Sequence, residues 1–280
     1  MPSIIELLQL SEEFLRKKNI KTPRLDSELL FSFVLNCKRL DLYLMYKREI
    51  KDPELSNLRN AIYRRGTREP LQYIIGNVEF FGLKLQVSKD VLIPRNETEE
   101  LVDVIVKKFS KSQPKTILDL GTGSGAIALS LTKNLKGSQV LAVDISSSAI
   151  SVAKKNAKIN KIKNIKFLQS HWFDNISGKF DIIISNPPYL SESEMESADI
   201  EVKDFEPKAA LISKKNGLHD IFEIISKAGN FLNDGGVLSL ETGPSQHQEI
   251  RDFSSKYFKN FLSLKDMSQN DRFVFLWEKF

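Results

Sequence analysis

The residues with the clearest chemical potential are Asn186-Pro187-Pro188-Tyr189, which directly follow the apolar segment Asp181 to Ser185. That segment reads as a strand, and ligand crevices in open α/β sheets lie beyond the carboxyl ends of strands. Two prolines fix φ and stiffen the backbone, so the carbonyls of the tetrapeptide face whatever occupies the crevice. Such an arrangement suits methyl transfer to a planar NH₂ group. An amide or exocyclic amine nitrogen is a poor nucleophile because its lone pair is delocalised. Two acceptors that take its two N–H groups orient it and push electron density back onto it. The Asn186 side-chain oxygen and the Pro187 carbonyl are the candidate acceptors, with Pro188 stiffening the turn and Tyr189 stacking on the substrate plane. No His or Cys adjoins the motif. None is required, since the methylated nitrogen becomes acidic and can lose its proton late.

A second cluster, Asp119-Leu120-Gly121-Thr122-Gly123-Ser124-Gly125, follows a strand and opens a helix. Glycines there let backbone amides approach a nucleotide-like ligand without a side-chain collision. The next strand ends in Asp144, whose carboxylate can accept both hydroxyls of a ribose. Gly121, Gly123 and Ala126 also satisfy the pattern of dinucleotide enzymes, so NAD competes with S-adenosylmethionine. Two features favour the latter. Asp119 can orient an ammonium group but would repel a pyrophosphate, and Trp172, after the third strand, offers an aromatic plane for an adenine.

The elements that must position these residues alternate. Thr116 to Leu120, Val140 to Ile145, Ile165 to Gln169, Asp181 to Ser185 and Gly236 to Glu241 read as strands separated by helices of 10 to 15 residues, which implies parallel βαβ units. Phe261 to Met267 and Phe273 to Trp277 are joined too briefly for a crossover helix and should form an antiparallel hairpin. The expected fold is α/β, a Rossmann-like sheet of seven strands. Residues 1 to 73 read as a helical bundle. Ser3 with Glu6 forms a capping box, Thr22-Pro23 and Asp52-Pro53 mark two further helix starts, and the second helix should bury Leu25, Leu29, Phe33 and Val34. Period-two alternation of Leu83, Leu85 and Val87 gives a β-hairpin connector over 74–95, leaving 96–280 for the sheet domain.

Composition narrows the function classes. The chain has 280 residues, 41% hydrophobic and 28% charged, which excludes disorder. Its net charge of +5 lies wholly in residues 1 to 95, with 17 basic and 12 acidic side chains against 24 of each in the remainder. One cysteine, Cys37, allows no internal disulfide. Three scattered histidines, His171, His219 and His247, show no metal-ligand spacing, so no metal is expected. No run of about 18 apolar residues occurs and no basic leader precedes an apolar stretch, so neither membrane insertion nor export is expected. The segment Glu192 to Glu206 carries seven acids against Lys203, reads as a solvated acidic rim, and would repel a phosphate backbone. The lysines from Lys154 to Lys166 read as a solvated helix face, and Arg59, Arg64, Arg65 and Arg68 as candidates to contact a partner protein or ribosomal RNA.

The sequence resembles the protein-(glutamine-N5) methyltransferases that modify peptide chain release factors, the PrmC/HemK family. The resemblance runs nearly end to end. It covers the helical N-terminal part, Gly76 with Phe80, Ile93-Pro94-Arg95 leading to Thr98-Glu99, Asp119 to Gly125, Asp144, Asn186 to Tyr189, Phe205-Glu206-Pro207 and Asp271-Arg272. Asn96-Glu97 stands where the family more often has Pro and an acid, and His171 where an acid commonly precedes the aromatic residue. Asn-Pro-Pro-Tyr alone is also similar to the motif of DNA adenine and rRNA methyltransferases, which leaves exocyclic-amine methylation of nucleic acid as the alternative. The family resemblance implies a cytoplasmic enzyme, expected to be a monomer, acting on the glutamine of a Gly-Gly-Gln loop in class I release factors, with no direct nucleic acid substrate. It implies that Gly121, Thr122, Gly123, Ser124, Gly125, Asp144, Trp172 and Asn186 hold S-adenosylmethionine, released as S-adenosylhomocysteine, and that Asn186 to Tyr189 hold the glutamine amide.

Overall fold

A computed structural model describes residues 2–111 and 115–280. It divides into two compact units. One comprises the residues up to Gly76 together with Asp199–Phe205, and the other comprises Asn77–Ala198 and Glu206–Phe280.

The first unit is helical. The capping box forms as its sequence requires, with the Ser3 N–H and hydroxyl both donating to Glu6 Oε2 at 2.7 Å. The helix it starts, Ile4–Lys17, buries Ile4, Leu8 and Leu15. The helix Glu54–Gly66 starts one position later than the Asp-Pro pair suggests. Pro53 occupies the cap position, and no side chain caps the end.

The helix Pro23–Val34 departs from its apolar pattern. Leu25 and Phe33 are 38% and 46% exposed, whereas Asp26, Ser27, Glu28, Leu30 and Phe31 are buried. A buried ion pair sets this rotation. Arg65 Nε donates to Asp26 Oδ2 at 2.7 Å, and Arg65 Nη2 reaches Glu201 Oε1 at 3.0 Å. Arg65, 7% exposed, draws the polar side of the helix inward. Arg68 also donates to Glu201, Lys21 pairs with Asp199 at 2.7 Å, and Arg64 pairs with Glu69. Two sequence expectations are corrected here. Arg64, Arg65 and Arg68 are committed within the unit rather than presented to a partner, and Glu201 is held in an ion pair away from solvent, whereas Asp199 stays exposed in its pair with Lys21. Arg59 is exposed. Cys37 is half-buried, and burial pushes its thiol up, away from the reactive thiolate.

In the second unit, a hairpin of β1 (Asn77–Phe80) and β2 (Leu83–Gln86) precedes a seven-stranded sheet. Its strands are β3 (Thr116–Leu120), β4 (Gln139–Asp144), β5 (Ile165–Gln169), β6 (Phe180–Ser185), β7 (Leu232–Glu241), β8 (Phe258–Lys265) and β9 (Asp271–Lys279). They lie in the order β5-β4-β3-β6-β7-β9-β8. The first five pair in parallel, and β9 runs antiparallel to both its neighbours. Side chains alternate between two apolar layers: Ile117, Ile182 and Ile184 pack against the helices Asn96–Phe109 and Ala126–Asn134, while Leu118, Leu120 and Ile183 pack against the helix His219–Phe231. Burial on both faces explains the nearly unbroken apolar sequence of β6. Lys154, Lys155 and Lys158 are exposed along the helix Ser147–Ile159, as its charge pattern implies. Among the described residues, no helix is long and apolar enough to cross a membrane.

Arg65→Ala would leave the buried Asp26 carboxylate without its cation and should cost about 3–5 kcal/mol of the helical unit's stability. Exposed Arg59→Ala should stay within about 0.5 kcal/mol. Chemical denaturation, read by hydrogen exchange in Pro23–Val34, compares the two.

Candidate active site

Register brings the two motifs together. Leu120 of β3 pairs with Ser185 of the parallel β6, and the Ser185 hydroxyl donates to the Leu120 carbonyl at 2.7 Å. The glycine loop and Asn186 therefore leave adjacent strand ends on the same edge of the sheet, at the crevice position expected of such folds.

On the glycine side, Gly121, Gly123 and Gly125 all have positive φ, at +71°, +54° and +84°. Close packing shows why glycine is needed at the last of them. A Cβ on Gly125 would stand 3.1 Å from Leu129 and 3.2 Å from Ala153, so glycine permits the close packing of the helices on either side of the loop. Gly123 faces open space, with nothing within 4 Å of a built Cβ. Asp144 fastens the loop: its Oδ2 accepts the Gly123 N–H at 2.8 Å and its Oδ1 the Ser146 N–H at 2.9 Å. The Ile145 peptide also acts on this carboxylate, whose two oxygens together can take up to four donors. Buried Asn156 braces the same loop, donating to the Ser124 carbonyl at 2.8 Å while accepting the Gln86 N–H of β2 at 2.6 Å.

Asp119 is fully buried, with the Thr122 hydroxyl donating to its Oδ2 at 2.6 Å. Its Oδ1 makes no hydrogen bond of ordinary geometry. Burial pushes this carboxyl up to about 7, against the Thr122 hydroxyl and the Ala128 peptide, which lower it, while the Asp144 charge raises it. An under-satisfied acid beneath a glycine loop with free space suits a ligand that carries a cationic group near a diol. Trp172 stands over Gly121, its ring 3.5 Å from a Cβ built there, and its indole N–H points to Asp220 at 3.3 Å. His171 is exposed beside Asp174 at 3.6 Å, so an acid lies near in space although not at the preceding position.

On the tetrapeptide side, Asn186 and Tyr189 line a small cavity of about 40 Å³ with Leu92, Arg95, Leu190, Ala210 and Leu211. Arg95 is held by Glu206, which also accepts the Ile93 N–H at 3.2 Å. Glu206, 5% exposed, thus ties the Phe205-Glu206-Pro207 turn to Ile93-Pro94-Arg95 and is not a free rim charge. The Tyr189 carbonyl accepts from Gln246 Nε2 at 2.9 Å, and a Cβ on Gly217 would come within 2.0 Å of it. Gly217 follows Lys215 and Asn216, which are also left-handed, so the backbone folds tightly around that carbonyl.

Thr98, Glu241, Gly217 and Gln246 were not among the sequence-derived site residues. The Asn186 side-chain N–H donates to the Thr98 hydroxyl at 3.0 Å, and that hydroxyl donates to Glu241 Oε2 at 2.7 Å. Tyr189 Oη lies 3.4 Å from the other carboxylate oxygen. Available signals were the acid that ends the apolar strand β7 and the Asn-Gly pair at 216–217. Neither reveals its partner, because the contacts span long stretches of chain.

Residues 6–76 match the PrmC N-terminal domain, and residues 96–218 match the methyltransferase small domain. A release factor glutamine methyltransferase from Buchnera aphidicola subsp. Schizaphis graminum is 44% identical over 91% of this chain and 92% of its own length. The chain belongs to the release factor glutamine methyltransferase family. The Francisella tularensis relative of the same name is 42% identical over 96% of the chain and 95% of its own length. Among solved structures, a methyltransferase from Pyrococcus furiosus aligns with a TM-score of 0.53 at 18% identity, covering 79% of this chain and 98% of that one. The hMettl16 catalytic domain in complex with MAT2A 3'UTR hairpin 6 aligns at 0.57 and 16%, covering 81% and 82%. Both share the class I methyltransferase fold of this family.

Asp119 generates a pH-dependent expectation. Its folded pKa is raised, so its contribution to stability is present below the usual carboxyl range and is lost as pH rises through about 7. Asp119→Asn should therefore melt higher than the wild type at pH 8 relative to any difference at pH 5, when scanned without ligand. An equal difference at both pH values would contradict the buried charge.

Proposed function

We propose that the chain transfers a methyl group from S-adenosylmethionine to the side-chain amide nitrogen (N5) of the glutamine in the Gly-Gly-Gln motif of class I peptide chain release factors. When bound, S-adenosylmethionine supplies an electrophilic methyl on a sulfonium. Gly121, Thr122, Gly123, Ser124 and Gly125 would hold it through backbone and hydroxyl groups, with Asp144 on its ribose, Trp172 against its adenine, Asp119 near its ammonium, and Asn186 at the reacting end. The under-satisfied Asp119 oxygen and the open space at Gly123 support that fit.

The observation that carries the substrate reading is the orientation of Asn186. One of its N–H groups is given to the Thr98 hydroxyl, which fixes the amide and leaves Oδ1 as its acceptor for an incoming NH₂ group in the cavity it lines. The Pro187 carbonyl supplies the second acceptor, Pro188 keeps that backbone rigid, and the Tyr189 ring covers the amide plane. With both N–H groups taken, the nitrogen lone pair is aimed at the methyl group without a strong base. The N5 proton leaves after transfer, when the nitrogen is cationic. A cavity this small suits the end of one side chain. Glu192, Glu194 and Glu196, on the helix that follows the tetrapeptide, disfavour a phosphate backbone nearby. A release factor substrate is met in the cytoplasm with the translation machinery, which is where this reading has the protein act.

Labelled-methyl transfer to a purified release factor tests the reading, with DNA and rRNA as competing substrates. Label should enter the release factor, and Asn186→Ala should lower kcat by about 10²–10³. Preferential labelling of nucleic acid would overturn the proposal.

A further inference from the structure

Glu241 closes β7 with a carboxyl group 1% exposed, and it touches the reacting region only through other side chains. Its Oε2 accepts the Thr98 hydroxyl, whose oxygen accepts the Asn186 N–H. A hydroxyl has one proton. Once Thr98 gives that proton to Glu241, only its lone pairs face Asn186, and the amide must turn its NH₂ toward Thr98. We propose that Glu241 and Thr98 are positioning residues that set the flip of the Asn186 amide, presenting its oxygen to the substrate NH₂ only while Glu241 is ionised. This deepens the methyltransferase reading and rests on it for its activity arm.

Protonation of Glu241 reverses the chain. The carboxylic acid then donates to the Thr98 oxygen, and the Thr98 proton is freed toward Asn186, which is satisfied by turning its oxygen inward. The amide would then present a donor to a substrate group that is itself a donor. Two donors cannot hydrogen-bond each other, so orientation of the substrate nitrogen is lost.

The surroundings keep the switch within reach of ordinary pH. Burial pushes the Glu241 carboxyl up to about 7. The Thr98 hydroxyl and Arg272 on β9 oppose that rise, Glu97 on the helix Asn96–Phe109 adds to it, and Tyr189 from the tetrapeptide side lowers it through its hydroxyl. Arg272 is itself directed to the Thr242 carbonyl at 3.1 Å and to Asp266 at 3.4 Å. His247, which contacts the Thr242 hydroxyl at 2.8 Å, turns its other nitrogen to Ser263. Its imidazole is held below the ordinary range by burial and by Arg272, against Asp271, which raises it. Asp119 also titrates near 7, but it lies beneath the glycine loop and should be read in cofactor binding rather than in turnover at saturating cofactor.

Two measurements on the full-length protein decide the matter. In the first, ¹³C-carboxyl and ¹⁵N-amide NMR follow Glu241 and the Asn186 side chain through a pH titration. The Asn186 NH₂ resonances should shift with the Glu241 midpoint in the wild type and lose that response in Thr98→Val. Resonances that ignore Glu241 in the wild type would overturn the proposal. In the second, kcat on the release factor at saturating S-adenosylmethionine should fall as pH drops through the Glu241 midpoint, and Glu241→Gln should abolish that limb. Thr98→Val should lower kcat by about 10- to 100-fold without changing cofactor affinity, and Thr98→Ser should recover most of the loss. A Thr98→Val enzyme with kcat within twofold of wild type and an unchanged pH profile would overturn the proposal. If the wild type labels no release factor, the substrate reading fails, and the NMR titration still decides the amide orientation.

Discussion

The parallel pairing of β3 with β6 is the constraint on which the site depends. Leu120 stands opposite Ser185, and a side-chain hydrogen bond reinforces that register at the last residue of each strand. A slip of one residue would exchange the faces of Ile182, Ile183 and Ile184, all fully buried, and would drive each into the wrong layer. The core therefore fixes the register, and the register fixes the distance between the glycine loop and the tetrapeptide. The geometry of the candidate site is a consequence of apolar packing two residues away.

The same packing creates the electrostatics. Asp119 and Glu241 both sit at the carboxyl ends of buried strands, and burial raises both to about 7. Neither is an efficient way to stabilise a fold. One lies under the glycine loop and one behind Asn186, each buried among apolar strands. Such groups are found where a site is prepared for a ligand rather than for stability. The helical unit handles its buried charges differently: Asp26, Arg65 and Glu201 satisfy one another directly, and the segment Asp199–Phe205 is part of that compact unit despite its distance in sequence.

Much of this was legible in the residues. Strands β3 to β7 are short, mostly apolar segments, the glycine loop and Asn186 to Tyr189 are contiguous, and the final hairpin follows from a short connection. Local pattern suffices for such features. The helix Pro23–Val34 misleads because Leu25, Leu29 and Phe33 make a plausible apolar face, while the decisive contact is an ion pair from Asp26 to a residue on another helix. The acids after Asn186 to Tyr189 look solvated for the same reason. Glu201 and Glu206 have partners far away in sequence, at Arg65 with Arg68 and at Arg95, while the Asp199 pair with Lys21 is exposed. Thr98 and Glu241 carry no local motif that identifies them as neighbours of Asn186, and Gly217 shows its purpose only when the Tyr189 carbonyl is seen against it.

The central claim is that the strand-end crevice presents one planar side-chain NH₂ group for methylation. Peptide mass spectrometry of a release factor after incubation with the protein and S-adenosylmethionine tests it most directly. The account predicts one added methyl group on the Gly-Gly-Gln glutamine, located to its side-chain nitrogen by fragmentation. An unmodified Gly-Gly-Gln peptide, or a methyl group on another residue, would contradict it.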